Sequence, residues 1–379
     1  MFKISKIILL VFFILSVLSL SIFFLFNNEI LETLRVIKFY KTRNISNKSY
    51  KYSVNTVLYD LKLTKRSIKS VVPDYNFKKK NTPIGYLESF ENNLYFISTY
   101  GTFFKVVNFD NLKLKKIPTN FDIITKHENF IKTMAIRDLY FDEINNTIYI
   151  SYVYNSEKKK CTGLSLISGK FNNFKDIIFK ENFKTKCIQY KSTNDFNEMS
   201  SGGKIISFNE EKIMLTVGDF WQGSIAQDLD EPYGKTLLLN KNDFSSEIYT
   251  LGHRNQQGIT KINETIFTSE HGPRGGDEIN LLVKNENYGW PIVSYGPDYK
   301  KNYEKYYLND HQSFKEPFFV FAPSIAISDI EFYNSDLFER WKGSLLVASM
   351  RNNTGIIIGK TTIPNAANAP ETKIEIFFK

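Results

Sequence analysis

At 379 residues, with 42% hydrophobic and 23% charged residues, the chain can bury a sizeable core and is neither a disordered nor an integral multi-span protein. Its 33 Phe and 22 Tyr favour strands over helices. The net charge of +9 comes from lysines scattered through a Lys-, Asn-, Ile- and Phe-rich chain, and runs such as Lys78-Lys79-Lys80 and Lys158-Lys159-Lys160 read as solvated turns, so no nucleic-acid partner is implied.

The first element in chain order is an uncharged run from Ile7 to Phe26, long enough to cross a hydrocarbon core as a helix. The NNEILE that follows offers no small-x-small cleavage site, so residues 1–26 are expected to be an uncleaved signal anchor and single transmembrane helix, which makes the membrane a partner. Lys3 and Lys6 lie on one side of it and Arg35, Lys38 and Lys41 on the other, so charge alone does not orient it. Residues 27–50 place Ile30, Leu34, Ile37 and Tyr40 at helical spacing and read as a short stalk.

From residue 51 to residue 379 the pattern changes to short apolar runs between Asn, Asp, Gly and Lys, the mark of many short strands. A weak repeat runs through it: a polar turn, then an apolar strand ending in a hydroxyl, as in NNLYFIST, NNTIYIS, NEEKIMLT, NETIFTS and KGSLLVAS, ending at Ser98, Ser151, Thr216, Thr268 and Ser349. The copies recur roughly every 50 to 80 residues, the length of a four-stranded propeller blade with its loops. The expected fold is therefore all-β, a propeller in preference to a sandwich. Cys161 and Cys187, the two cysteines, cannot make a zinc site alone; they are either a disulfide or two buried thiols, and the disulfide is favoured if the domain lies outside the cytoplasm.

The segment from Leu251 to Pro291 concentrates Arg254, Asn255, Gln257, Glu270, His271, Arg274 and Asp277 around turns at Gly272-Pro273 and Gly275-Gly276. Arg254 offers a planar donor fork for carboxylates, and Asn255 and Gln257 add in-plane hydrogen bonds, a composition suited to a planar acidic ligand. The carbonyls at Gly272 and Pro273 suit a hard cation such as calcium. The competing reading is a buried network of Arg254, Glu270 and Asp277 that fixes the blades. The chain has no phosphate loop, nucleotide-type GxGxxG, HExxH or serine-nucleophile elbow.

GHRNQQG, SEHGPRGGDEIN and NYGWP, with GGKIISF, LTVGDF and AQDLDEPYGKTLLLN before them, resemble the signature of the pyrroloquinoline quinone (PQQ)-dependent glucose/sorbosone dehydrogenase family, the soluble aldose sugar dehydrogenase type. The resemblance is strong from Gly202 through Pro291 and weaker at IRDLYFDEINNTIYISY and from PSIAISDIEFY through LLVASMR. It implies a six-bladed β-propeller, PQQ and calcium as cofactors, and oxidation of an aldose at its anomeric carbon. It also implies roles for individual positions: Arg254 and Asn255 contact the quinone, Arg351 replaces a cofactor-binding lysine, and Gly272 and Pro273 hold the calcium through their carbonyls. Asp219 matches the carboxylate that orients the catalytic base, and Asp277 matches a site carboxylate.

Two departures stand out. Where the family carries the catalytic histidine that takes the anomeric hydroxyl's proton, this chain has Met199 or Ser200, neither of which is a general base unaided. His271 is the alternative base. Where the family has a last blade with an Arg-x-Arg-Asp segment reaching the cofactor, no arginine follows Arg351, so the final blade is expected to be either incomplete or closed by an amino-terminal strand near Tyr52 to Leu63. Losing the base and the cations together points towards a pseudoenzyme. The expectation is thus a single-pass protein of the cytoplasmic (inner) membrane with its propeller facing the periplasm. It acts on a sugar or polysaccharide as a quinoprotein dehydrogenase, with an electron acceptor the residues do not specify, or binds a sugar, polysaccharide or protein without turnover.

Overall fold

The structure, a computed structural model, describes residues 49–55, 59–66, 85–99, 101–108, 113–121, 136–156, 159–171, 174–190, 198–297, 311, 313–351, 355–358 and 374–376. The expected signal anchor at residues 1–26 lies outside them, as does the stalk but for its last two residues; among the described residues no helix is long and apolar enough to cross a membrane. The chain divides into two compact units, residues 1–52 with 63–71, and residues 53–62 with 72–379. The amino-terminal described element is a two-stranded sheet of β1 (Ser49–Asn55) and β2 (Asp60–Arg66).

The second unit holds five antiparallel sheets, each built from strands consecutive in sequence. The first pairs β3 (Gly85–Phe90), β4 (Asn93–Ser98), β5 (Phe103–Asn108) and β6 (Lys113–Ile117). The second pairs β7 (Ile136–Asp142), β8 (Thr147–Ser156), β9 (Cys161–Lys170) and β10 (Lys180–Lys184), with β11 (Ile188–Gln189) also on β9. The third contains β12 (Gly202–Ser207), β13 (Lys212–Val217), β14 (Lys235–Asn240) and β15 (Ser246–Leu251). The fourth contains β16 (Gln256–Ile262), β17 (Thr265–Glu270), β18 (Asp277–Leu281) and β19 (Phe319–Phe321). The fifth contains β20 (Ile327–Tyr333), β21 (Ser344–Ser349), β22 (Gly355–Ile358) and β23 (Ile374–Ile376). That last sheet is built from four carboxyl-terminal strands.

Strand periodicity explains the stacking. Along β8, Ile148, Ile150, Tyr152 and Tyr154 enter one core, shared with Phe90, Tyr95 and Phe103 of the first sheet. The alternate residues Tyr149 and Val153 enter another, shared with Ile213, Leu215 and Leu237 of the third. Because successive side chains point to opposite faces, a strand apolar at every position is covered on both. Met214 and Leu238 likewise face Ile259 and Ile266, while Phe267 on the other face of β17 meets Ile327 and Leu345. Four cores thus separate five sheets, and the first strands sit side by side, β3 to β7, β7 to β12, β12 to β16 and β16 to β20. This is propeller packing, as the repeat implied.

Each copy of the repeat is the second strand of one sheet, and its terminal hydroxyl is buried. Two of the five reach the next sheet: Ser151 donates to the carbonyl of Gly203, and Thr216 to that of Gln256 at 3.1 Å. Opposite these strands, four first strands shift register at the matching point, between Ile136 and Asp138, Gly202 and Ile205, Gln256 and Gly258, and Ile327 and Asp329. Such bulges re-aim side chains, here those of Arg137, Lys204 and Gln257. Lys204 bridges Asp138 at 3.3 Å and Asp329 at 3.0 Å, joining three first strands. Burial pushes the carboxyl of Asp138 up to about 6 and that of Glu88 up to about 8, and raises that of Glu331. The first strands therefore carry a cluster of carboxyls with high proton affinity around one lysine.

Candidate functional site

The site begins where the third sheet begins. The 3-10 turn Glu198–Ser200 leads into the tight Ser201-Gly202-Gly203 entry of β12, and Gly203, at φ +102°, has room for no side chain, since a Cβ would lie 2.3 Å from that of Arg137. Arg137, buried in the neighbouring sheet, uses this room to donate from Nη2 to the carbonyl of Glu198. Asn255 and Gln257 donate to the next carbonyl, that of Met199, at 3.3 and 3.1 Å. The turn is thereby fixed with Met199 partly exposed and Ser200 buried.

Ser200 and not Met199 occupies the place beside Asp219: its Oγ donates to Asp219 Oδ1 at 2.7 Å. The same carboxylate accepts from the backbone N–H of Trp221 at 2.9 Å and, on Oδ2, from the indole of Trp290 at 2.9 Å. Burial raises the pKa of Asp219; Arg254 and the three donors oppose that rise without cancelling it. Arg254 stacks over the Trp290 ring at 5.5 Å and, through Nη1, donates to the carbonyls of His271 at 3.0 Å and Gly272 at 3.1 Å. Its backbone is set by Glu270, whose carboxylate takes the Arg254 N–H and also holds His253 at 2.9 Å. His253, fully buried between Thr250 and Glu270, is a structural residue.

His271 lies half-buried with Nε2 3.0 Å from Gln257 Oε1, and burial pushes its pKa down to about 4, Asp277 pulling up and Arg254 pushing further down. It is neutral near pH 7 and correspondingly weak as a base. Asp277 is fully buried and used up internally: Oδ1 accepts from the N–H of Gly272 at 3.1 Å and from the Ser324 hydroxyl, and Oδ2 accepts the N–H groups of Ile325 and Ile327, each at 3.0 Å. Arg351 closes the chain of contacts, its Nη1 donating to the carbonyl of Ser324 at 2.8 Å. Met199, Ser200, Asp219, Arg254, Asn255, His271, Gly272, Asp277 and Arg351 thus belong to one connected network. Cys161 and Cys187 lie apart from it, joined as a disulfide across the second sheet.

What could this network hold? Arg254 engages one of its three nitrogens, leaving Nη2 and Nε for an anion, and this planar fork fits a carboxylate such as those of PQQ. Calcium fits less well. The Gly272 carbonyl that would ligate it already accepts from Arg254, Asp277 has its oxygens filled, and a divalent cation there would face a guanidinium. Behind Arg254 lies a cavity of about 10 Å³, lined by Glu270, Glu278 and Trp290 among others, with room for one water. A tricyclic ligand would lie outside it, against Arg254 and Trp290.

Sequence reading missed Arg137, Trp221, Trp290 and Ser324. Trp290 was inside a motif, NYGWP, but nothing local says that its indole reaches Asp219, 71 residues away. Arg137 is signalled only by a charged residue interrupting an apolar strand, and by the Gly-Gly facing it.

Comparison with known proteins agrees with this geometry. The sequence profile of the family described as glucose/sorbosone dehydrogenase matches residues 105–362. Aldose sugar dehydrogenase YliI of Escherichia coli (strain K12) is 29% identical over 231 residues, which span 56% of this chain and 60% of that protein. Among solved structures, the apo-form of the soluble aldose sugar dehydrogenase from Escherichia coli superposes with a TM-score of 0.59 at 19% identity, covering 83% of this chain and 87% of that one. The PQQ-bound aldose sugar dehydrogenase from Streptomyces coelicolor does so with a TM-score of 0.54 at 18% identity, covering 86% of both. These two likenesses carry the fold, and the profile, which covers most of the chain, carries the family: the chain belongs to the glucose/sorbosone dehydrogenase family.

Proposed function

We propose that this protein is a quinoprotein-type sugar-binding propeller, six-bladed, held to the cytoplasmic membrane through residues 7–26 with its domain facing the periplasm, and that it oxidises an aldose at its anomeric carbon only slowly. The observation that carries this is the single network joining Ser200, Asp219, Arg254 and Arg351. Arg254, Asn255 and Arg351 would hold PQQ by its carboxylates and carbonyls. When bound, that group supplies a two-electron acceptor for the sugar's hydride.

The chain's own part is to place the sugar and take its proton, and here it is weak. The Ser200 hydroxyl cannot accept a proton unless it passes its own to Asp219, which it already faces at 2.7 Å. Burial raises the proton affinity of Asp219, which favours that transfer, but the proton must then be relayed through a hydroxyl and is not taken directly by an imidazole. No calcium-dependent step is assigned, because the Gly272 carbonyl is engaged by Arg254. The non-catalytic reading, a propeller that binds a sugar, polysaccharide or protein at this face, is favoured by that same replacement of the base by serine.

The test is dye reduction by the PQQ-loaded chain with a panel of aldoses, run beside Ser200→His. We expect slow reduction by the natural chain and faster reduction by the variant. Sugar binding with no reduction by either would instead support the non-catalytic reading.

A further inference from the structure

Trp221 is the largest apolar side chain at the site that remains turned to solvent, 54% exposed, while Phe220 beside it is fully buried. Both residues sit in the left-handed region, Phe220 at φ +51° and Trp221 at φ +66°. Side chains with a Cβ rarely adopt this conformation, and two in succession persist only where the surroundings hold them. They are held here from three sides. The Phe220 ring packs edge-on against Tyr233 at 5.4 Å, its N–H donates to the Ser200 carbonyl at 2.9 Å, and the Trp221 N–H donates to Asp219 Oδ1. The following N–H, that of Gln222, returns to the carbonyl of Asp219 at 2.7 Å. The turn thus buries one aromatic ring to anchor itself and throws the next outward.

We propose that Trp221 is a stacking platform for a sugar ring, presented beside the polar Ser200–Asp219 pair, and that it selects pyranoses with a continuous apolar C–H face. A pyranose carries C–H bonds on one face and hydroxyls around its edge. Its recognition therefore calls for a flat aromatic surface next to acceptors and donors, and a rigid indole provides that surface at little entropic cost. Asp219 binds the turn's N–H and the Ser200 hydroxyl at the same oxygen, so the platform's backbone is fixed by the same carboxylate that holds Ser200. A wide apolar patch would have argued for a protein partner; an exposed indole near the Asp219-bound indole of Trp290 and the site's polar groups argues for a sugar.

The proposal rests on the sugar-binding reading above but not on PQQ. It is tested by titration calorimetry of the full chain with glucose, cellobiose and cellotriose, for the natural protein, Trp221→Ala and Trp221→Phe, with PQQ titrated into the same three. The expected result is that Trp221→Ala weakens sugar binding about tenfold or more, Trp221→Phe keeps it within about threefold, and PQQ binding is the same in all three. Equal sugar affinity in Trp221→Ala overturns the platform while leaving the family reading intact, and so does a natural chain that binds PQQ but none of these sugars. Trp221-dependent sugar binding without PQQ binding upholds the platform and removes the quinone.

Discussion

Ser200 donates its hydroxyl to Asp219 Oδ1, and under the proposed dehydrogenase function it stands in for the proton acceptor. Its hydroxyl differs from an imidazole in basicity and in reach, not in place. Restoring histidine at position 200 is therefore predicted to raise PQQ-dependent aldose oxidation by about 10²-fold, the usual worth of a positioned general base. The same substitution at Met199, whose backbone and not its side chain faces the network, is predicted to do little. Sequence alone left the choice between Met199 and Ser200 open, because it turns on which side chain a 3-10 turn points inward. The ligand-holding residues were legible, since Arg254, Asn255 and Gly272 lie in contiguous motifs. Their present partners were not: the pairing of Arg254 with the Gly272 carbonyl depends on side-chain conformations that no spacing encodes.

At the scale of elements, the repeat was readable because strand and hydroxyl recur together, and the reason lies in the seam between sheets. Thr216 Oγ1 accepts the N–H groups of Gly203 at 3.1 Å and Lys204 at 3.0 Å and donates to the carbonyl of Gln256. Thr216→Val keeps the shape and removes these bonds. It is predicted to destabilise the protein by about 1–3 kcal/mol in urea unfolding, the cost of leaving buried backbone groups unsatisfied. A smaller change would mean that the seam is held by packing alone. The bulges opposite these hydroxyls left no such trace, because a register shift shows in pairing and not in residue type. The role of Arg137 therefore emerged only from the fold.

For the molecule as a whole, the first strands gather Glu88, Asp138, Asp329 and Glu331 around Lys204. Burial raises Glu88 to about 8 and Asp138 to about 6, so the folded state binds more protons than the unfolded one. The stability each contributes is complete below its ordinary pKa and is lost as the pH climbs towards the raised one. His271 acts in the opposite sense, its stability being complete above 6.5 and lost as the pH falls through about 4. Between about pH 6.5 and 7.5, below the range in which the buried Lys235, lowered to about 8, acts in the opposite sense, the unfolding temperature is predicted to fall. Glu88→Gln, which stays neutral, should flatten that fall; an unchanged slope would place the titrating group elsewhere. None of this was legible in the sequence, where these residues lie in separate strands of a scattered charge pattern.

Under the proposed function, this network holds an anionic quinone on Arg254 whatever its rate of turnover. Titration calorimetry of PQQ into the full chain tests it most directly, with Arg254→Ala alongside. The expected result is one PQQ per chain and an affinity reduced about 100-fold in the variant, the loss of a charge-assisted pair at a partly buried site. No binding by the natural chain, or equal binding by Arg254→Ala, would contradict it.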